Sequence, residues 1–212
     1  MVEGAYDGFP PWFFDRIDSS DDSEFYEPAR LVTHIDDDAI RALGQLYREL
    51  GVGASPAPRV IDLMASWISH FVDKPEWLTV LGMNAVELTN NSAANERVVH
   101  DLNRDPRLPF ADASFDAATC CVSVDYLTRP IEVFDDVARV VRAGGVFVCT
   151  FSNRCFPTKA ITGWLSTDDD THCALVREYF LRSTGWEEPT AERRATAGDP
   201  LFAVWARRKM RD

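Results

Sequence analysis

Residues 115–151 read FDAATCCVSVDYLTRPIEVFDDVARVVRAGGVFVCTF. Residues 115–124 are an apolar run rich in Ala, Cys and Val, the pattern of a buried strand. Residues 130–142 set Ile131, Val133, Phe134, Val137, Val140 and Val141 at helical spacing, and Gly144-Gly145 reads as the stop. Residues 146–151 are β-branched and aromatic, a second buried strand. A strand, a helix and a strand in this order form a crossover unit. Its strands run parallel, and helices cover both faces of the sheet.

The same grammar extends outward. Residues 59–63, 77–83 and, more weakly, 96–100 read as three further strands. Before them, residues 36–50 carry Ile40, Leu43, Leu46, Tyr47 and Leu50 at helical spacing, and residues 51–58 are a Gly/Ala/Ser/Pro-rich connector. Beyond the quoted stretch, residues 171–183 read as a helix. Residues 186–194 and 200–207 read as strands joined by a loop holding Gly198, hence an antiparallel hairpin. The expected architecture is α/β: a doubly wound, mostly parallel seven-stranded sheet with an antiparallel C-terminal hairpin. Residues 1–55 form an arm and a helix, and residues 56–212 form the main domain. The aromatics Phe9, Trp12, Phe13 and Phe14 favour an arm that packs.

With 22 Lys+Arg against 34 Asp+Glu, the 212-residue chain carries a formal charge of −12. That charge repels phosphate backbones, so no nucleic-acid partner is expected. No apolar run reaches the roughly 20 residues of a membrane span, and no membrane partner is expected. Five cysteines without CxxC spacing fit a reducing compartment. The expected location is the cytoplasm, or an organellar stroma if a transit peptide has been removed.

In an open α/β sheet, ligands bind beyond the carboxyl ends of the strands. That rule selects residues 62–66, 84–87, 101–103 and 123–126. Asp62, Asn84 and Asp101 follow one another at intervals of 22 and 17 residues, one βα repeat each. Each also has a plainer use. Asp62 could cap a helix, Asp101 could hold a turn, and Asn84 with Glu87 is spaced as a capping box.

From His100-Asp101-Leu102 through Leu108-Pro109-Phe110, Ser114-Phe115-Asp116, Tyr126-Leu127 and Arg139-Val140-Val141 to Gly144-Gly145, the chain resembles the class I S-adenosylmethionine-dependent methyltransferases. The likeness runs from about residue 60 to 207. It is similar in particular to a divergent branch in which DLMASW, residues 62–67, stands in the first loop. The resemblance implies a Rossmann-like fold and S-adenosylmethionine as cofactor. By the same resemblance, Asp62, Met64 and Ser66 approach the cofactor's methionine portion, and Asn84 meets the ribose. Asp101 and Leu102 meet the adenine, and Ser123 and Val124 face the sulfonium side. The family's first loop has three glycines, whose positions here hold Met64, Ser66 and Ile68. A Met or Ile there cannot freely adopt the glycine conformation, so the loop takes another path or the site is weakened.

Tyr26, Arg30 and His34 precede the main domain, in the 1–55 segment that the resemblance implies is a lid over the site, and Ser152, Asn153 and Arg154 follow its fifth strand. Tyr26, Arg30, Ser152, Asn153 and Arg154 are the candidate substrate contacts, and His34 is the candidate catalytic base. His34 with Asp36 and Asp37 has a metal-like composition, but acids at a helix start are read as caps and no metal is expected. Cys120 and Cys121 read as buried small hydrophobes. The expected activity is methyl transfer to a small-molecule substrate. One rival is a non-catalytic relative, a binding or scaffold module with its pocket closed by Met64, Trp67 and Ile68. A dinucleotide enzyme is disfavoured, because no GxGxxG follows the first strand.

Overall fold

The computed structural model describes residues 4–53, 58–195 and 198–210. Half of the expected 51–58 connector, with the 55/56 boundary, and part of the 195–199 loop lie outside the described residues. Seven strands build one sheet: β1 (Arg59–Leu63), β2 (Trp77–Gly82), β3 (Glu96–Val99), β4 (Phe115–Cys121), β5 (Val141–Phe151), β6 (Thr190–Ala195) and β7 (Leu201–Arg207). Their order is β3-β2-β1-β4-β5-β7-β6. The first five strands are parallel, and β7 runs antiparallel between β5 and β6. The helices are α1 (Asp22–Tyr26), α2 (Asp37–Glu49), α3 (Ala85–Asn90), α4 (Pro130–Val140), α5 (Thr162–Leu165) and α6 (Asp169–Arg182).

Alternation along each strand feeds two cores. Val60, Leu78, Val80 and Val148 face Leu43, Leu46 and Tyr47 of α2 and Leu88 of α3. Ile61, Leu63, Phe147 and Phe151 face Phe134 and Val137 of α4 and Val176, Tyr179 and Phe180 of α6. Each such side chain contributes roughly 1.5–3 kcal/mol by leaving water.

Three expected boundaries move, each for a local reason. The helix after β4 ends at Val140, and Gly144-Gly145 lie inside β5 rather than stopping the helix. They form a bulge, where the β4–β5 register jumps between Phe115 and Ala117 and Gly144 adopts φ +77°. β4 ends at Cys121, three residues early, because Val122 turns to φ +45° and a 3₁₀ turn covers Val124–Tyr126. The strand expected at 186–194 begins only at Thr190. Trp186 is instead buried, its Nε1 donating to the Phe134 carbonyl at 3.2 Å.

The N-terminal arm packs on the domain. Gly163 N donates to Phe13 O at 2.8 Å, Thr162 N to Asp15 O at 2.7 Å, and Asp18 N to Thr158 O at 2.9 Å. Lys159 is fully buried beneath the arm, 3.1 Å from Asp18 and 3.2 Å from Asp22, and Arg16 also pairs with Asp22 at 2.7 Å. A buried ammonium must stay paired, because desolvation otherwise outweighs its folding gain. Lys159→Ala is therefore expected to cost about 3 kcal/mol in urea unfolding and to open residues before Tyr26 to limited proteolysis. Unchanged stability and an uncut arm would show that the ion cluster does not hold it.

Candidate functional site

The carboxyl ends of β3, β2, β1 and β4 open into a cavity of about 610 Å³, within the range of small-molecule sites. The loop after β1 forms its floor. Ala65 N donates to Leu81 O at 2.8 Å, and the Ala65 carbonyl sits so close over Gly82 that any Cβ there would collide. To make that crossing the chain turns at Met64, which adopts φ +53°. A Met cannot freely adopt this conformation, yet Met64 takes it up. The cost is on the order of 1–2 kcal/mol, borne by the surrounding packing. Met64, Trp67 and Ile68 border the cavity. They do not plug it.

Asp62 lies at the centre of the sheet, accepting from Ser69 Oγ at 2.7 Å and Thr119 Oγ1 at 2.8 Å. Burial pushes its carboxyl up to about 6, against the pull of these two hydrogen bonds. No helix follows it, so it does not serve as a cap. Asp101, beyond β3, gives Oδ1 to the N–H groups of Asn103 and Arg104 at 2.9 and 3.2 Å. Its Oδ2 makes no such bond among the described residues. Leu102 is buried beside it.

Asn84 reaches the cavity with its amide already committed. Oδ1 caps α3 by accepting from Val86 N and Glu87 N, while Nδ2 donates to the carbonyls of Tyr26 and Glu27 at 2.8 and 2.9 Å. A ribose contact through Asn84 would break one of these sets. Only half of the capping box expected with Glu87 forms, the bond from Glu87 N to Asn84 Oδ1. The Glu87 carboxylate turns to Arg30 N at 2.7 Å and Ser66 Oγ at 2.6 Å.

Past β4, Ser123 lines the cavity, with Oγ donating to Cys121 O at 2.8 Å. Val124 does not line it: the 3₁₀ turn buries Val124 in the core beneath. Ser152 and Asn153 are also off the cavity wall, because β5 buries Ser152 and the chain returns to the rim only at Arg154. Arg154 is held by Asp199 at 2.8 Å. Arg30 donates to the carbonyls of Phe25 and Pro28 at 2.9 and 3.2 Å, and lies over the rings of Phe25 and Phe156. Tyr26 lines the cavity, and burial raises its phenol pKa. His34 stands at the mouth, edge-on to Phe156 at 5.4 Å. Partial burial lowers its pKa, so it is neutral near pH 7. His70 also lines the cavity, and burial lowers its pKa too.

The sequence reading assigned no site role to Glu87, Asp22 or Phe156. Glu87 lay in the 84–87 stretch that the strand-end rule selects but was read there as a cap partner, and the other two gave no periodic or motif signal. Among the described residues, no three His, Cys, Asp or Glu gather as metal ligands. No described helix is long and apolar enough to cross a membrane.

Residues 68–149 match a methyltransferase domain family. Over 117 residues the chain is 36% identical to a demethylmenaquinone methyltransferase of Mycobacterium sp. (strain KMS), covering 51% of this chain and 49% of that protein. The chain thus spans about half the length of the curated relatives it matches. Among solved structures, a S-adenosylmethionine-dependent methyltransferase from Mesorhizobium loti aligns with TM-score 0.52 and 17% identity, covering 79% of this chain and 98% of that one. Geranyl diphosphate C-methyltransferase from Streptomyces coelicolor, in complex with S-adenosyl-L-homocysteine, aligns with TM-score 0.54 and 12% identity, covering 79% and 77%. The fold is shared with both.

Asp62 gives a pH test. Its folded pKa lies above the usual 3.8. The fold thus keeps a proton that the unfolded chain has released between those values, and wild-type stability falls as pH rises through that window. Asp62→Asn removes this loss. The variant is expected to exceed wild type by on the order of 2–3 kcal/mol at pH 8 and to match it near pH 4, by denaturant unfolding. A variant less stable than wild type at pH 8 contradicts the buried-charge account.

Proposed function

We propose that this chain is a class I S-adenosylmethionine-dependent methyltransferase that binds S-adenosylmethionine in the cavity and transfers its methyl group to a small uncharged acceptor. The observation that carries this reading is the open cavity with a carboxylate oxygen of Asp101 free at one end and Asp62 at the other. Asp101 Oδ2 suits the adenine amino group as an acceptor, and Leu102 supplies an apolar edge. Asp62 faces the cationic methionine portion with Met64, Ser66 and Ser123. A bound cation favours the ionised form of Asp62, so binding relieves part of the cost of burying its charge.

Held by these residues, the cofactor would supply an electrophilic methyl carbon to an acceptor lone pair, with a neutral thioether as the leaving group. The protein's share is alignment and exclusion of water. His34, neutral and at the mouth, takes the proton when the acceptor atom carries one. Tyr26, Tyr126 and Phe156 wall the acceptor end, and both cavity arginines are already engaged. An anionic acceptor would meet no free arginine there, and an apolar ring would meet flat partners. The mycobacterial relatives, named as demethylmenaquinone methyltransferases, support a small-molecule acceptor.

The arm acts as the lid. Tyr26, Glu27, Arg30 and Val32 are tied through backbone groups to Asn84, Glu87 and Trp67, so cofactor entry requires these hydrogen bonds to part. The cytoplasm is the setting we infer, from five free thiols.

Calorimetric titration with S-adenosylhomocysteine tests the cofactor reading. Saturable binding in the micromolar range is expected, weakened about tenfold or more by Asp101→Ala. No binding at about millimolar ligand rejects it. With a quinol as probe acceptor, His34→Ala is expected to lower kcat by about 10²-fold while leaving S-adenosylhomocysteine affinity unchanged. An unchanged kcat removes His34 as the base.

A further inference from the structure

Resting on the cofactor reading above, we infer that Glu87, rather than Asn84, is the residue that binds the ribose hydroxyls. S-adenosylmethionine is a linear molecule with its ribose between adenine and methionine. The sheet order β3-β2-β1 sets Asp101 and Asp62 at the two ends of a line across the strand ends, with the start of α3 at its middle. The ribose therefore crosses the first turn of α3 in whichever direction the cofactor lies. Two cavity side chains stand there, Asn84 and Glu87.

A vicinal diol presents two O–H donors side by side, and a carboxylate with an open lone pair on each oxygen is its best match. Asn84 offers one amide oxygen, and that oxygen already accepts two backbone N–H groups. Glu87 is 8% exposed. Among the described residues, each of its oxygens accepts a single hydrogen bond, from Arg30 N or Ser66 Oγ, which leaves one lone pair on each. The same two bonds fix the carboxylate between the loop after β1 and the arm, so the acceptor is held in place before the diol arrives.

The test is titration of the full chain with S-adenosylhomocysteine and with its 2′,3′-dideoxyribose analogue. Wild type is expected to prefer the natural ribose by about tenfold or more. Glu87→Gln keeps the shape and removes the charge, and is expected to reduce that preference to about twofold. The ratio isolates ribose recognition, because a purely structural loss weakens both ligands alike. Thermal unfolding of the variant establishes that it is folded. If wild type discriminates and Glu87→Gln discriminates equally, the assignment to Glu87 is wrong and the cofactor reading stands. Wild type binding both ligands equally overturns the assignment as well. Wild type binding neither overturns the cofactor reading along with it.

Discussion

The crossing of the loop after β1 over the end of β2 is the constraint on which the rest of the site depends. Parallel pairing delivers Leu63 and Leu81 side by side, and Ala65 N then bonds Leu81 O over a residue that has to be glycine, Gly82. The chain turns there only if residue 64 adopts positive φ, and Met64 does so at +53°. From that turn follow the place of Ser66 against Glu87, of Ser69 against Asp62, and of Trp67 against the arm. A second non-glycine residue at positive φ, Val122, ends the neighbouring β4 on the same cavity. A β-branched residue in that conformation is held by its surroundings rather than by its own preference. Two strained turns on one cavity are the pattern of backbone held for a ligand.

Charge is arranged by the same logic. The acids of the arm and helix starts are spent: Asp36 and Asp168 cap α2 and α6, and Asp22 balances Arg16 and Lys159. Asp62, Glu87 and Asp101 remain at the strand ends. Asp62 in particular is destabilising as an anion in the fold, a cost that the cationic cofactor we propose would offset. Stability given up at a site and recovered on binding is a common trade.

Much of the sheet was legible because its strands are short apolar runs with clear ends. β1 was read to the residue, helped by Pro58 in front of it. The glycine pair at 144–145 was misread because bulge glycines and helix-stopping glycines look alike in sequence. The strand at 186 was misread because Trp186 is apolar for the core of α4 and α6, which no local pattern reveals. At the site, the strand-end rule found Asp62, Asn84 and Asp101, all of which reach the cavity. It could not find the use of Glu87, whose partners Arg30 and Ser66 lie 57 and 21 residues away. Nor could residue type foretell Met64, since its conformation is imposed by the packing of Gly82.

The central claim is that a nucleoside cofactor lies across the ends of β3, β2 and β1 above the turn at Met64. A crystal structure grown with S-adenosylhomocysteine measures this directly. The account predicts adenine against Asp101, ribose over the start of α3 and the homocysteine chain beside Asp62, with Met64 still at positive φ. Ligand density anywhere else, or a relaxed Met64 whose side chain fills the cavity, would contradict it.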